Sequence, residues 1–285
     1  MTNFEQYQLV HLSNGTRSIR SLSACETFHP VIGPEEEAQT LYVGQLRLRE
    51  RLEAHAGDFV LWDVGLGAAA NVLTALRAAQ DLPGALRIVS FDHTAEPLRF
   101  ALLHAEALGY LRGYEAAVQT LLEQGRAAFT NGAQQVEWEL HLDDFPTLLN
   151  TPAAAGLPKP HAIFFDPFSP AKNPAMWSRP LFTRLFHLLA PGQPCALATY
   201  SRSTITRTAL LLAGFHVGSG GVLAQKEETT VAANAPGLIE SPLNRRWLER
   251  AQRSHSAEPL QGSEYRQAPL SLESWEQLQQ HPQFR

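Results

Sequence analysis

With 285 residues, 44% of them hydrophobic, the chain can bury a sizeable core as one large or two small domains, which excludes a disordered class. A formal charge of −5 does not suggest general affinity for nucleic acid, so any such contact needs a local basic face. Cys25 and Cys195 lie far apart with no CxxC or Cys/His spacing, and no HExxH-like pair occurs, which excludes a disulfide framework and leaves no expected metal site.

The first ten residues, MTNFEQYQLV, carry no basic region followed by an apolar core. No apolar run reaches the ~18 residues that span a bilayer. The expectation is a cytoplasmic protein without membrane association. Residues 7–22 read as two short strands around Ser13-Asn14-Gly15-Thr16, because an Asn-Gly pair between alternating segments signals a hairpin. Residues 35–54 carry Ala38, Leu41, Tyr42, Leu46 and Leu52 at helical intervals, with a break expected at Val43-Gly44 and a solvated charged face.

From Phe59 the pattern becomes strand then helix, repeated. Strands are expected over 59–64, 86–91, 136–142, 162–165 and 195–200, and helices over 68–79, 96–108, 111–129, 179–189 and 203–213. Such alternation implies an α/β fold with a parallel sheet. Residues 150–160, rich in Pro, Ala and Gly, read as a surface loop. Short β-like pieces at 215–217, 222–225 and 229–233 should finish one edge of the sheet in antiparallel fashion. The last fifty or so residues are polar with scattered prolines and are expected to be of low order. The organisation is an N-terminal hairpin and helical extension over 1–55, a Rossmann-like domain over 56–233 and a polar tail over 234–285.

Four strand ends carry candidate chemistry, and in open α/β sheets that edge is where ligands bind. Asp63-Val64-Gly65-Leu66-Gly67-Ala68-Ala69-Ala70-Asn71 leaves the first strand and opens a helix. Gly65 and Gly67 allow a sharp turn and close approach of a ligand, so a nucleoside cofactor can lie there, although a tight turn packed for its own sake reads the same. Asp92, at the end of the second strand, can accept both ribose hydroxyls or cap the next helix. Asp144, in Asp143-Asp144-Phe145, can hold an exocyclic adenine amine beside an aromatic or begin a helix at Pro146. Position alone does not separate NAD from S-adenosylmethionine.

Asp166 is the strongest candidate. The run HAIFFDPFSPAKNPAMW takes a buried strand into an Asp-Pro-Phe turn, where a carboxylate and nearby carbonyls can accept N–H bonds from an amine while Phe168 walls the pocket. That arrangement suits methyl transfer to nitrogen. Lys172 and Asn173 can meet a substrate or shape the loop, and His29 before Pro30 can line the pocket or occupy a turn. Arg202, Arg207 and Lys226, with the late cluster Arg245, Arg246, Arg250 and Arg253, are the candidates for phosphate contacts, against ordinary surface charge.

The stretches ETFHPVIGPEEEAQTLYV, DVGLGAAANVLTAL, VSFD, HLDDF, DPFSPAKNPAMW, LATYSRSTITRTALLLAGF and KEETTVAA span roughly residues 27–233. They resemble the methyltransferase domain of the MnmC-type tRNA wobble-uridine modification enzymes, in the stand-alone form without the flavin oxidoreductase domain. The resemblance implies a class I Rossmann-like, S-adenosylmethionine-dependent methyltransferase fold with an N-terminal β-hairpin extension. It implies methylation of 5-aminomethyl-2-thiouridine in tRNA, with Asp166 and Phe168 catalytic, Asp63, Gly65, Gly67, Asn71, Asp92 and Asp144 holding the cofactor, and His29, Lys172, Asn173, Arg202 and Arg207 toward the substrate. It also implies a functional link to a separate FAD-dependent or aminomethyl-forming enzyme. Pro167 stands where some members carry glycine, which stiffens the turn. The rival readings are the same fold acting on a small-molecule or protein amine, a non-catalytic RNA-binding relative, and an NAD-dependent oxidoreductase.

Overall fold

The computed structural model describes residues 6–223 and 227–285. Strands β1 (Tyr7–His11) and β2 (Arg17–Ser21) pair antiparallel with Leu9 opposite Ile19, and β3 (Glu26–Thr27) adds a third strand beside β2. The hairpin forms where Asn14-Gly15 places it: the Asn14 carboxamide accepts from Thr16 N–H at 3.1 Å and donates to the Ile32 carbonyl at 2.9 Å, while Gly15 takes φ 85°. Helix α1 (Pro34–Ala38) runs into a π-helical turn at Gln39–Gly44, and α2 (Leu48–Glu53) starts only after Arg47 turns left-handed at φ 48°. The expected break at Val43-Gly44 is therefore present. Glu37 departs from the expected solvated face. It is buried, and one carboxylate oxygen accepts from Val31 N–H at 2.6 Å and Ile32 N–H at 3.0 Å.

The chain continues through β4 (Asp58–Val64), α3 (Ala70–Ala79), β5 (Gly84–Asp92), α4 (Glu96–Leu103), α5 (Ala105–Leu108), α6 (Glu115–Gln124), β6 (Arg126–Asn131) and β7 (Gln134–Leu142). It then forms α7 (Phe145–Leu149), α8 (Ala153–Gly156), β8 (Ala162–Phe165), α9 (Arg179–Leu188), β9 (Ala196–Thr199), α10 (Thr204–Ala213), β10 (His216–Leu223), β11 (Glu227–Ala233), α11 (Arg245–Gln252) and α12 (Leu272–Gln280). The large sheet has the order β10-β11-β9-β8-β4-β5-β7-β6, with β4, β5, β7, β8 and β9 parallel. Successive residues of β4 feed opposite faces: Leu61 joins one core with Tyr42, Leu73, Ile88 and Phe164, while Trp62 joins the other with Phe91, Phe165, Trp177 and Phe182. This is the α/β architecture that the strand and helix alternation implies. Among the described residues no helix is long and apolar enough to cross a membrane.

Three expectations are corrected. Residues 111–129 do not form one helix, because Gly125 ends α6 in the left-handed region at φ 71° and residues 126–131 pair antiparallel with β7. In that strand Ala127 and Asn131 are buried while Ala128 and Thr130 are exposed, so tertiary pairing overrides the helical preference of alanine. At the other side β10 and β11 finish the sheet edge antiparallel as expected, with β11 between β9 and β10, but the pieces expected on either side of the glycines form one strand, His216–Leu223, with a bulge between Ser219 and Val222. Ala224, Gln225 and Lys226 lie outside the described residues.

The segment from Asn234 onward is not of low order. Trp247, Leu248 and Ala251 of α11 enter the second core with Leu260, Leu278 and Phe284. The Gln283 carboxamide accepts from Val217 N–H at 2.7 Å and donates to the Val217 carbonyl at 2.7 Å, completing the outer side of β10. Its apolar residues are few and widely spaced among polar ones, which hides the buried face from a reading of composition.

Replacing Trp247 with alanine is expected to cost about 3–5 kcal/mol, the range for truncating a buried large aromatic, in a denaturant titration. An unchanged midpoint would mean that the C-terminal segment does not share the core.

Candidate active site

A cavity of about 1000 Å³ lies over the ends of β4, β5 and β8 and beneath the N-terminal sheet. Its floor is the turn after β4. Gly65 N–H donates to the Phe91 carbonyl at 2.9 Å, and Gly67 N–H donates to Asp92 Oδ2 at 2.9 Å, so the β5 end fixes the turn while Asp92 spends one oxygen on it. Gly65 takes φ 93°, and a Cβ added there would sit 2.7 Å from the Asp166 carbonyl oxygen. No side chain fits, which is why this position is glycine. A Cβ on Gly67 would meet the Phe28 ring at 3.4 Å, so that residue faces the N-terminal segment across the floor.

The turn after β8 is tied down residue by residue. Asp166 N–H donates to the Val64 carbonyl at 2.8 Å, and the Asn71 amide donates to Asp166 Oδ2 at 2.7 Å. The Tyr200 hydroxyl donates to the Pro167 carbonyl at 2.9 Å, and the Trp177 indole N–H donates to the Phe168 carbonyl at 2.8 Å. Ser169 donates its N–H to Glu26 Oε2 at 3.3 Å and its hydroxyl to Glu26 Oε1 at 2.5 Å. The Phe168 ring tilts against Phe28, with centroids 5.7 Å apart.

Burial sets the charge states here. Desolvation raises the Asp166 carboxyl to about 6, opposed by the Asn71 and Tyr42 side chains, which favour the anion. The Tyr42 hydroxyl makes no regular hydrogen bond among the described residues, so its support of Asp166 is that of a nearby dipole. Desolvation raises Asp63 further, to about 8, although the Ser90 hydroxyl donates to it at 2.9 Å. Tyr42 and Tyr200 are pushed well above the ordinary phenol value by burial and by Asp166, so both stay protonated. Burial keeps His29 neutral by lowering its pKa, in part offset by Glu37, whose Oε2 lies 3.8 Å from Nδ1.

Of the expected site residues, Gly65, Gly67, Asp92, Asp144, Asp166, Phe168, His29 and Asn173 line this one cavity. Asp144 does two jobs: it faces the cavity and caps α7, accepting from Thr147 N–H at 3.0 Å. Asp63 and Asn71 are not on the wall. Asp63 is 1% exposed beneath the floor, and Asn71 is a buried brace for Asp166. Lys172 is exposed outside the cavity. Arg207 is a correction: it is 2% exposed, donating to Thr230 Oγ1 at 3.0 Å and to the Thr229 carbonyl at 2.9 Å, so it cannot reach a phosphate. Arg202 is exposed on the loop after β9.

Reading the sequence residue by residue missed Glu26, Phe28, Tyr42 and Tyr200. Glu26 and Phe28 come from the N-terminal sheet, whose approach to the β8 turn is a long-range contact with no local signal. Tyr42 had been visible only as an apolar helix position and Tyr200 only as the end of a strand.

The expected cofactor fits these residues. Two left-handed glycines leave the floor bare, Asp92 and Asp144 offer acceptors at adjacent strand ends, and the acidic wall suits a sulfonium. Among the described residues no cluster of His, Cys, Asp and Glu could hold a metal ion.

Residues 113–235 match the family described as S-adenosyl-L-methionine-dependent methyltransferase. The chain is 30% identical over 224 residues to the tRNA 5-methylaminomethyl-2-thiouridine biosynthesis bifunctional protein MnmC of Methylibium petroleiphilum, a match covering 76% of this chain and 33% of that protein. The protein of the same name from Ralstonia nicotianae is 29% identical over 245 residues, covering 79% and 35%. The chain thus spans about a third of the length of these relatives. The crystal structure of MNMC2 from Aquifex aeolicus superimposes with a TM-score of 0.67 at 22% identity, over 89% of this chain and 78% of that one, which is a likeness of fold. Fold, methyltransferase class and cofactor therefore agree with the sequence reading.

Asp63 makes stability pH-dependent. Between 3.8 and about 8 the folded carboxyl keeps a proton that the unfolded chain has lost, so the unfolded state binds fewer protons and stability falls as pH rises through that window. Asn in its place still accepts from Ser90 and has no proton to lose. The melting temperature is expected to decline with pH more steeply in the native protein than in Asp63→Asn, and parallel declines would show that this carboxyl titrates normally.

Proposed function

This chain carries an S-adenosylmethionine-dependent methyltransferase domain similar to that of the MnmC proteins, and we propose that it methylates the aminomethyl nitrogen of 5-aminomethyl-2-thiouridine at the wobble position of tRNA. The product is 5-methylaminomethyl-2-thiouridine. The observation that carries the reading is the Asp166 turn, held at the cavity wall against the glycine floor. The names of the relatives supply the substrate class. A separate enzyme that forms the aminomethyl group would supply the substrate.

When bound, S-adenosylmethionine supplies an electrophilic methyl group at its sulfonium. The amine must present a lone pair, and a half-enclosed cavity favours its neutral form by desolvation. As the N–C bond forms and the S–C electron pair leaves with sulfur, positive charge grows on nitrogen. Asp166 as the carboxylate stabilises that charge and orients the N–H bonds, then can take the proton released from the product ammonium. Phe168 and Phe28 confine the acceptor, and much of the rate comes from alignment.

Polyanion binding in a chain of net charge −5 needs a local face. Arg245, Arg246, Arg250 and Arg253 are exposed on α11 and just after it, and Arg207 feels the charges of both Arg250 and Arg202. Arg202 follows Tyr200, which lines the cavity, by two positions. This strip supports a phosphate-binding role beside the cavity mouth.

Two outcomes test the reading. Asp166→Asn is expected to lower single-turnover methyl transfer to aminomethyl-bearing tRNA by roughly two to four orders of magnitude, with cofactor affinity nearly unchanged. The native rate should climb with pH through about 6 as Asp166 ionises, and the variant should lose that limb. A variant that is less stable but equally fast removes Asp166 from the chemistry. Replacing Arg202 and Arg250 together with alanine is expected to raise the KM for tRNA roughly tenfold and to flatten its salt dependence by about two phosphate contacts, leaving the KM for cofactor alone. Rapid methylation of a small amine with no tRNA binding at low salt would favour the small-molecule rival.

A further inference from the structure

We infer that Glu26 is a positioning residue of the methyl transfer, reaching from the N-terminal sheet to hold the Asp166 turn in its reactive register. The inference rests on the methyltransferase reading above and adds to it a working role for the N-terminal extension. Glu26 stands on β3, paired through Arg20–Thr27 and Ser21–Glu26 to a small three-stranded sheet, about 140 positions away in sequence from the turn that it grips. Both of its oxygens go to one residue, the N–H and hydroxyl of Ser169, and it lines the same cavity as Asp166.

What that grip controls follows from the other ties on the turn. Asn71 of α3 fixes the carboxylate, Tyr200 just after β9 the Pro167 carbonyl, and Trp177 in the short turn before α9 the Phe168 carbonyl. They anchor Asp166 and the two residues after it. Ser169 is where the chain leaves toward the loop at Lys172 and Asn173, whose N–H groups fold back onto the Ser169 carbonyl at 2.8 and 2.9 Å. Among the described residues Glu26 is the side-chain tie from the Ser169 end of the turn to the opposite wall, and the Phe168 ring packs against Phe28 of the same N-terminal segment. A carboxylate is suited to the task because it accepts both donors at once. Glutamine can keep both contacts, its carbonyl accepting the Ser169 N–H and its amide donating to the Ser169 hydroxyl oxygen, so alanine is the substitution that breaks the link.

Glu26 also acts on the surroundings of the reaction as a charge. It and Asp166 both disfavour ionisation of Tyr200, so the two carboxylates act on the same phenol. An amine acquiring positive charge in that space is held by Asp166 while the second carboxylate deepens the negative potential.

The test compares Glu26→Ala, Ser169→Ala and the double variant with the native protein. Two readouts are used: single-turnover transfer from S-adenosylmethionine to aminomethyl-bearing tRNA, and hydrogen exchange of the backbone at 166–173, which needs no substrate. Each single variant is expected to lower the transfer rate roughly 10- to 100-fold, as a displacement of about 1 Å does, with cofactor affinity unchanged. The double variant should be no slower than the slower single one, because both break the same link. The Ser169 amide should exchange faster in Glu26→Ala. Native rates and native protection in Glu26→Ala would overturn the inference. If the native protein fails to methylate tRNA, the substrate assignment falls, and the exchange measurement still decides whether Glu26 holds the turn. Faster exchange with an unchanged rate would leave Glu26 a structural tie and would likewise overturn its role in the reaction.

Discussion

The site depends on one close approach, between the backbone of the turn after β4 and that of the turn after β8. These strands are hydrogen-bonded neighbours, with Val64 opposite Phe165, so their exits leave the sheet side by side. With the Asp166 carbonyl at 2.7 Å from where a Gly65 Cβ would stand, the glycine floor and the Asp166 wall of the cavity form a single surface. Any displacement of one is transmitted to the other. The Asn71 brace adds a third member, since it belongs to the helix that the glycine turn opens.

The same crowding makes the site electrostatically costly. Asp63, Asp92 and Asp166 stand at neighbouring strand ends, and the first and last of them are driven toward their neutral forms mainly by desolvation. They respond differently because their surroundings differ. Asp63 sits under the floor with one oxygen lacking any partner among the described residues, whereas Asp166 has an amide and a phenol favouring its anion. A buried carboxyl that stays protonated near neutrality supports packing. One that titrates near 6 can act in the chemistry while charged.

Much of this was legible in the sequence because it is local. Glycine spacing, strand-end acids and the Asp-Pro-Phe turn all lie within a few residues of the strand that positions them, and parallel strands bring their ends to one edge. What was not legible is long-range or ambiguous. Glu26 and Phe28 reach the site only through the packing of a separate sheet. Arg207, on a helix with apolar neighbours, reads like any surface arginine until β11 is found pairing beside it. The alanine-rich run at 126–129 favours helix on propensity, and only the strand at 134–142 makes it a strand. The segment after Asn234 conceals its anchors by spacing them among glutamines and arginines.

Gln283 shows what the folded C-terminal segment does for the sheet. A carboxamide has the donor and acceptor geometry of a peptide group, and here one side chain pairs with the N–H and carbonyl of a single residue on β10 as a neighbouring strand would. The Ser241 carbonyl accepts from Ser219 N–H of the same strand, and Leu243 N–H donates to the same Val217 carbonyl. An open β10 would be a template for any extended peptide, including that of another copy. The large sheet thus ends in a partner assembled from one side chain and two backbone bonds, and release of that segment would first show as association between molecules, before any change at the glycine floor.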